Sequence, residues 1–460
     1  MNRWFWALLG TFALFVGCDG SKPTEGEDLS SSSVSIIFIS SAEVNQWNQG
    51  NGTEESPYMI NSADDLVALS NAVSQGVTYA GTFFKLGGNI SLSGLSWTPI
   101  GVWGEDDLGW KNKPFRGSFD GGGFTISNLT MDNASANYVG LFGLTKQAVI
   151  KNLKVESISL SGNRIVGGLV AKADSTVISD CEVSVSLIGQ ERVGGIVGEM
   201  IAGSITNSIV SGSVEGKSTV GGLVGLIGSS ATVSGTNKAT VTGTLQNTGG
   251  ISGTVSGGVI TDAINQGLVS GVDNVGGIVG NVTMAGQVSW TSNQASVSAS
   301  GANSFVGGVV GDLAAKSVLE ASYNIGEVSS TGTYAAGIAG KTTSSEIRDV
   351  FNHGKITAAD FAGGLVGQCG ENTIINRGYN KGSVSVTKNS ASLLAKTLST
   401  TEFSNLYYDN VLALVSNSEE GAVTSAELAS ANMATLLNAG ETSVWVWNAG
   451  EMGGYPYLAK

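Results

Sequence analysis

One tetrapeptide, Gly-[Leu/Ile/Val]-x-Gly, returns along this chain at an almost fixed interval. It reads GLFG at 140, GLVA at 168, GIVG at 195, GLVG at 222 and GISG at 250. It continues as GIVG at 277, GVVG at 308, GIAG at 337 and GLVG at 364. The steps are 28, 27, 27, 28, 27, 31, 29 and 27 residues, a mean of 28, and a degenerate SLLA follows at 392. A unit this short cannot bury a core alone, so the copies must stack. A second register, Asn-x-[Gly/Ala]-x-[Val/Ile], begins at Asn237, Asn265, Asn293, Asn324, Asn352 and Asn380. It sets Val241, Val269, Val297, Val328, Ile356 and Val384 at one fixed point of each repeat, as a strand interior requires. Asn and Gly at the corners predict turns of positive φ. The stretches between are short and apolar or alternating, without helical periodicity. The chain has 67 Gly but 5 Pro in 460 residues, and no Pro between Phe115 and Tyr455, which suits continuous β-structure. The predicted fold is all-β: a parallel β-solenoid, taken as a right-handed β-helix, with about 28 residues per coil.

Charges fix the register of that stack. Alignment of neighbouring repeats sets Lys154 on Glu182, Arg164 on Glu191, Lys172 on Glu199 and Asp312 on Lys341. It also sets Glu320 on Arg348, Glu327 on Lys355, Asp349 on Arg377 and Asp360 on Lys388. Each exposed pair contributes only about 0–1 kcal/mol, but a slipped register loses them all.

The flanks are aperiodic and read as caps. Ser62-Ala63-Asp64-Asp65 is a capping box opening a helix with Leu66, Leu69 and Val73 on one face and Gly76 after it. Thr424-Ser425-Ala426-Glu427 is another, followed by Leu428, Leu436 and Leu437. The organisation expected is a signal peptide over 1–18, a flexible tether over 19–33, a cap with first coils over 34–135, the repeat solenoid over 136–395 and a cap over 396–460.

Residues 1–18 carry Arg3 and then a 13-residue apolar run, too short to span a bilayer comfortably. The following Leu14-Phe15-Val16-Gly17-Cys18 resembles a bacterial lipobox, with Phe15 where Leu is usual. That resemblance implies cleavage before Cys18 and lipidation of its thiol. The solenoid motifs, the string FRGSFDGGGFTISNL at 115–129 and Trp447 with Tyr455-Pro456-Tyr457-Leu458 resemble the GLUG-motif repeat family of bacterial surface proteins, over residues 56–460. The resemblance implies an extracellular protein of lipoprotein or adhesin type and assigns no catalytic residue. Bacterial IgA-specific metallopeptidases also contain this repeat, but their His-Glu-x-x-His signature is absent from this sequence.

Little points to catalysis. A net charge of −14 gives no basic stripe for nucleic acid. The one histidine, His353, falls at a corner read as an exposed turn, and no metal or cofactor is expected. Glu105, Asp106 and Asp107 form the one tight acidic cluster, a weak calcium candidate in an irregular loop. Cys181 reads as a buried free thiol. Tyr323, Phe351 and Tyr379 make an aromatic column just before the Asn corner. It is read either as an outward stripe for a sugar or protein ligand or as an internal stack that stabilises the coils. The expected function is a non-catalytic, lipid-anchored scaffold or adhesin on the cell surface, outer membrane included, whose partners are the membrane and a surface glycan or protein. The alternatives are a polysaccharide-acting β-helix enzyme or a carbohydrate-binding component, and a structural surface-layer protein.

Overall fold

The computed structural model describes residues 47, 49–104, 111–387, 391–398, 400–410, 421–438 and 444–460. They form about twelve coils of a parallel β-solenoid with roughly 28 residues per turn. Parallel pairing starts where Tyr58–Ile60 meets Phe83–Leu86 and runs without a break to Glu402–Asp409 and Ala422–Val423. Stacked strands thus extend beyond both edges of the 136–395 block. One coil shows the plan: Glu346–Asn352, a corner, Ile356–Ala358, then Phe361–Cys369 through the GLVG motif.

The β-branched column lies in register as expected. Val241, Val269, Val297, Val328, Ile356 and Val384 are consecutive partners, all at most 3% exposed. Full burial of one such side chain stabilises by roughly 1.5–3 kcal/mol, repeated at every coil. Seven of the eight expected charge columns close as ion pairs. Distances are 3.4 Å for Lys154–Glu182, 3.0 Å for Arg164–Glu191, 3.5 Å for Lys172–Glu199 and 3.2 Å for both Asp312–Lys341 and Glu327–Lys355. Asp349–Arg377 is bidentate at 2.8 Å and buried, and Glu320 meets Arg348. Lys388, the partner predicted for Asp360, lies outside the described residues.

The Asn corners differ from expectation. None of the six has positive φ. Their side chains point inward and form a fully enclosed ladder. From Asn237 to Asn352, each Nδ2 donates to the Oδ1 of the next Asn at 2.7–2.8 Å. Each Nδ2 also donates to the carbonyl two residues on. A buried amide with every group satisfied costs little, and a half-satisfied one costs much. The motif glycines have a matching reason. A Cβ on Gly277 or Gly308 would lie 2.4 or 2.3 Å from the Cγ of Asn293 or Asn324. It is close approach, to the next coil's glycine carbonyl at 2.1–2.2 Å and to the Asn amide, not backbone freedom, that requires glycine there. This Asn–Gly waist divides the later coils into two apolar compartments, one built on Val282, Leu319 and Ile347, the other on Val297, Val328 and Ile356. In earlier coils the Asn position is Ile126, Val155, Val183 and Val210. Positive φ appears instead three residues before the Asn position, at a bend in the column Asn152, Asp180, Asn207, Asp262, Trp290, Ala321, Asp349, Arg377 and Asn405.

Both capping boxes form. Helix α1 (Ala63–Ser74) starts at Ser62 with Asp65 bonding back, and buries Leu66, Leu69 and Val73. The second helical signal divides into α2 (Ser425–Leu428) and α3 (Ala431–Asn438), capped by Thr424 and Glu427. Leu428 and Leu437 are buried, but Leu436 is exposed and Met433 takes the inward place. Cys181 is a buried free thiol, and burial pushes its pKa up to about 12.

Candidate functional site

Tyr323, Phe351 and Tyr379 stack face to face at 4.7 and 5.3 Å with ring planes 4–5° apart. Their strand does turn them away from the solenoid lumen, but not to solvent. Phe351 and Tyr379 are fully buried, against Leu428, Met433, Leu437 and Trp445. Residues 421–438 and 444–460 fold back over the column as a strap. Tyr379 Oη donates to the Pro456 carbonyl at 2.7 Å, and Trp445 Nε1 donates to Asp349 Oδ1 at 2.8 Å. Lys460 pairs with Asp262 and lies over the Trp290 ring. An exposed aromatic stripe is therefore overturned for Phe351 and Tyr379. Period-two alternation along the strand turns these rings away from the lumen, and an aperiodic segment docks on the face they form.

His353 belongs to the same cluster and is not an exposed turn residue. Its ring lies against Phe351, Tyr379 and Tyr455, with Nε2 2.8 Å from Tyr379 Oη. Burial first, then the Lys381 ammonium, pushes its pKa down to about 3. A second aromatic ladder, Phe305, Tyr334 and Phe361, stacks on another side at 5.2 Å per step. Its spacing is legible in the sequence beside the GxxG motif. In both ladders the ring faces are consumed by neighbouring rings, leaving mainly edges for a ligand. Trp103 is likewise stacked on Tyr138 at 5.1 Å, with Lys172 Nζ 4.3 Å from its ring centre.

Cavities open elsewhere, beside the N-terminal coils. Lys85, Asp120 and Lys151 are register partners on three successive strands. On one side a cavity of about 370 Å³ is lined by Pro57, Met59, Phe83, Ser118 and these three residues, with Glu54 and Glu55 at its rim. On the other, one of about 410 Å³ is lined by Lys85, Asp120, Asn152, Lys154, Asp180 and Glu182. Gly122 and Gly123 carry positive φ and form part of the second wall. Asp120 Oδ1 accepts from the Gly122 N–H at 2.8 Å and Asn152 Nδ2 at 3.0 Å. Sequence reasoning missed this site because strands here recur at unequal intervals. Cys18 and the Glu105, Asp106, Asp107 cluster lie outside the described residues.

No family model matches the chain. It is 36% identical over 139 residues to halomucin of Haloquadratum walsbyi, covering 28% of this chain and 1% of that protein. It is 29% identical over 133 residues to a "Putative Gly-rich membrane protein" of Evansella cellulosilytica, covering 28% of this chain and 13% of that one. The chain thus spans a small part of either relative. Among solved structures it resembles a "putative immunoglobulin A1 protease" of Bacteroides ovatus at 17% identity and a TM-score of 0.36, over 90% of this chain and 95% of that one.

Proposed function

We propose that this protein is a lipid-anchored, non-catalytic binding scaffold of adhesin type, of the kind the GLUG-motif resemblance implies, displayed on a bacterial cell surface. The carrying observation is the in-register stack of about twelve coils, a rod roughly 55–60 Å long at the strand spacing. A rod held on the tether at 19–33 would offer lateral grooves at a distance from the membrane. The Cys18 lipobox and a relative named as a membrane protein support the anchor. Two acyl chains hold a protein on a bilayer, where one does not. The test is Cys18→Ala in cells, read by acyl labelling and by antibody access to intact cells. Loss of both supports the reading, and unchanged membrane association sinks it. The carbohydrate-binding alternative is favoured by the polar cavities at Asp120.

A further inference from the structure

We infer that the groove across Lys85, Asp120 and Lys151 is a binding site for a neutral oligosaccharide. The inference rests on the scaffold reading and names its ligand class. Three observations carry it. The first is a failure to pair. Lys85, Asp120 and Lys151 are stacked coil on coil, as are the residues of the seven columns that close as ion pairs. Among the described residues, however, neither lysine has a carboxylate within ion-pair distance. Asp120 gives Oδ1 to the Gly122 N–H and the Asn152 amide, and its Oδ2 has no protein partner among the described residues. Donor, acceptor and donor therefore succeed one another at about 4.8 Å. A row of sugar hydroxyls, each both donor and acceptor, satisfies such a set.

The second observation is charge balance. The two lysines face Asp120 and the rim carboxylates Glu54 and Glu55 in one cavity. A ligand of either net charge would gain one partner and meet the opposing field of another, whereas a neutral ligand uses both signs. The third is an apolar wall. Phe83 lines the cavity with Pro57 and Met59. Among the described residues it has no ring partner, unlike the rings of the two ladders, so its face is open to the C–H face of a pyranose. One aromatic wall with a few convergent polar groups is the usual make-up of a small-ligand site. The two cavities share Lys85 and Asp120, so a bound chain can continue past the first ring.

The test is calorimetric titration of the purified full-length protein with cellohexaose, xylohexaose, mannohexaose and chitohexaose, and with trigalacturonate as the acidic comparator. At least one neutral hexasaccharide should bind in the millimolar range or better. Phe83→Ala, and separately Lys85→Gln with Lys151→Gln, should each weaken it about fivefold or more. Lys217→Gln on a distant coil should leave affinity unchanged. Asp120→Asn retains an acceptor for Gly122, so its loss of binding with an unchanged melting temperature supports contact over misfolding. No binding by any neutral hexasaccharide, tighter binding of trigalacturonate, or undiminished affinity in every groove variant overturns the inference. Surface display, read by antibody on intact cells, is independent of the groove. Its persistence beside a failed titration removes the inference alone, and its loss removes the scaffold reading.

Discussion

Replacing Asn324 with Val tests whether the interior amide ladder holds the later coils in place. Asn324 makes four hydrogen bonds: from Asn293 Nδ2 at 2.7 Å, to Asn352 Oδ1 at 2.7 Å, to the Gly326 carbonyl at 2.8 Å and from the Gly326 N–H at 3.2 Å. Valine fills a similar volume, and Val210 occupies the equivalent place in an earlier coil, so sterics are not the issue. The loss lies in the partners. Asn293 keeps one amide hydrogen without an acceptor, and the Gly326 N–H and carbonyl both lose their side-chain partner. Asn352 Oδ1 still accepts from Gly354. Each buried unsatisfied group costs about 1–3 kcal/mol, and three in the lower half of that range, with some relaxation, give about 3–5 kcal/mol. Asn237→Val is the internal control. It sits at the ladder's start, receives no amide from the coil before and strands one group fewer, so it should cost about 1–2 kcal/mol less. Urea unfolding read by fluorescence and circular dichroism measures both, and amide hydrogen exchange locates the opening. If Trp47–Lys460 melts as one unit, Asn324→Val lowers Tm by about 3–6 °C. Asn324→Val within about 1 kcal/mol of the parent, or Asn237→Val as costly as Asn324→Val, would refute the ladder's role.

Three further outcomes follow from the same geometry. The pKa of His353 falls from 6.5 to about 3, so the unfolded chain binds the extra proton in between. Stability should therefore decline as pH falls from about 6.5 toward 3, by up to a few kcal/mol, and His353→Gln should flatten the profile of Trp445 fluorescence against pH. Arg377→Met leaves the Asp349 carboxylate buried without its guanidinium and should cost about 3–5 kcal/mol, while Asp349→Asn with Arg377→Met recovers part of it in thermal melts, because the amide removes the charge and still accepts from Trp445 Nε1. Lys316 is exposed at φ 63°, so Lys316→Gly should raise stability by up to about 1 kcal/mol, whereas Lys316→Val lowers it.

What repeats in sequence was readable, and what docks or bends irregularly was not. The Val241–Val384 column and seven charge pairs follow from counting, because a stack converts a fixed interval into contact. The Asn column was recognisable as special, but its reason was hidden. A corner and an interior amide have the same spacing, and the motif glycine does not tell them apart, because Gly195 faces Val210 as Gly277 faces Asn293. The fate of Tyr323, Phe351 and Tyr379 depended on Leu428, Met433, Leu437 and Trp445, in a stretch whose lack of period leaves no clue to where they lie. Lys85, Asp120 and Lys151 come together because the coils between them differ in length, so no constant step links them.

The strap works as a ruler for the number of coils beneath it. It is fixed to Tyr379 through Pro456, to Asp349 through Trp445 and to Asp262 through Lys460. A whole coil gained or lost by recombination ahead of Asp262 would leave all three fixings where they are. The same event between Asp262 and Asp349 would part only the exposed Lys460 pair, at a cost of about 0–1 kcal/mol, whereas between Asp349 and Tyr379 it would part the buried Trp445 and Pro456 fixings by about 4.8 Å. Repeat number is thus metered where the buried fixings sit, so length variants of this solenoid should leave the interval from Asp349 to Tyr379 unchanged.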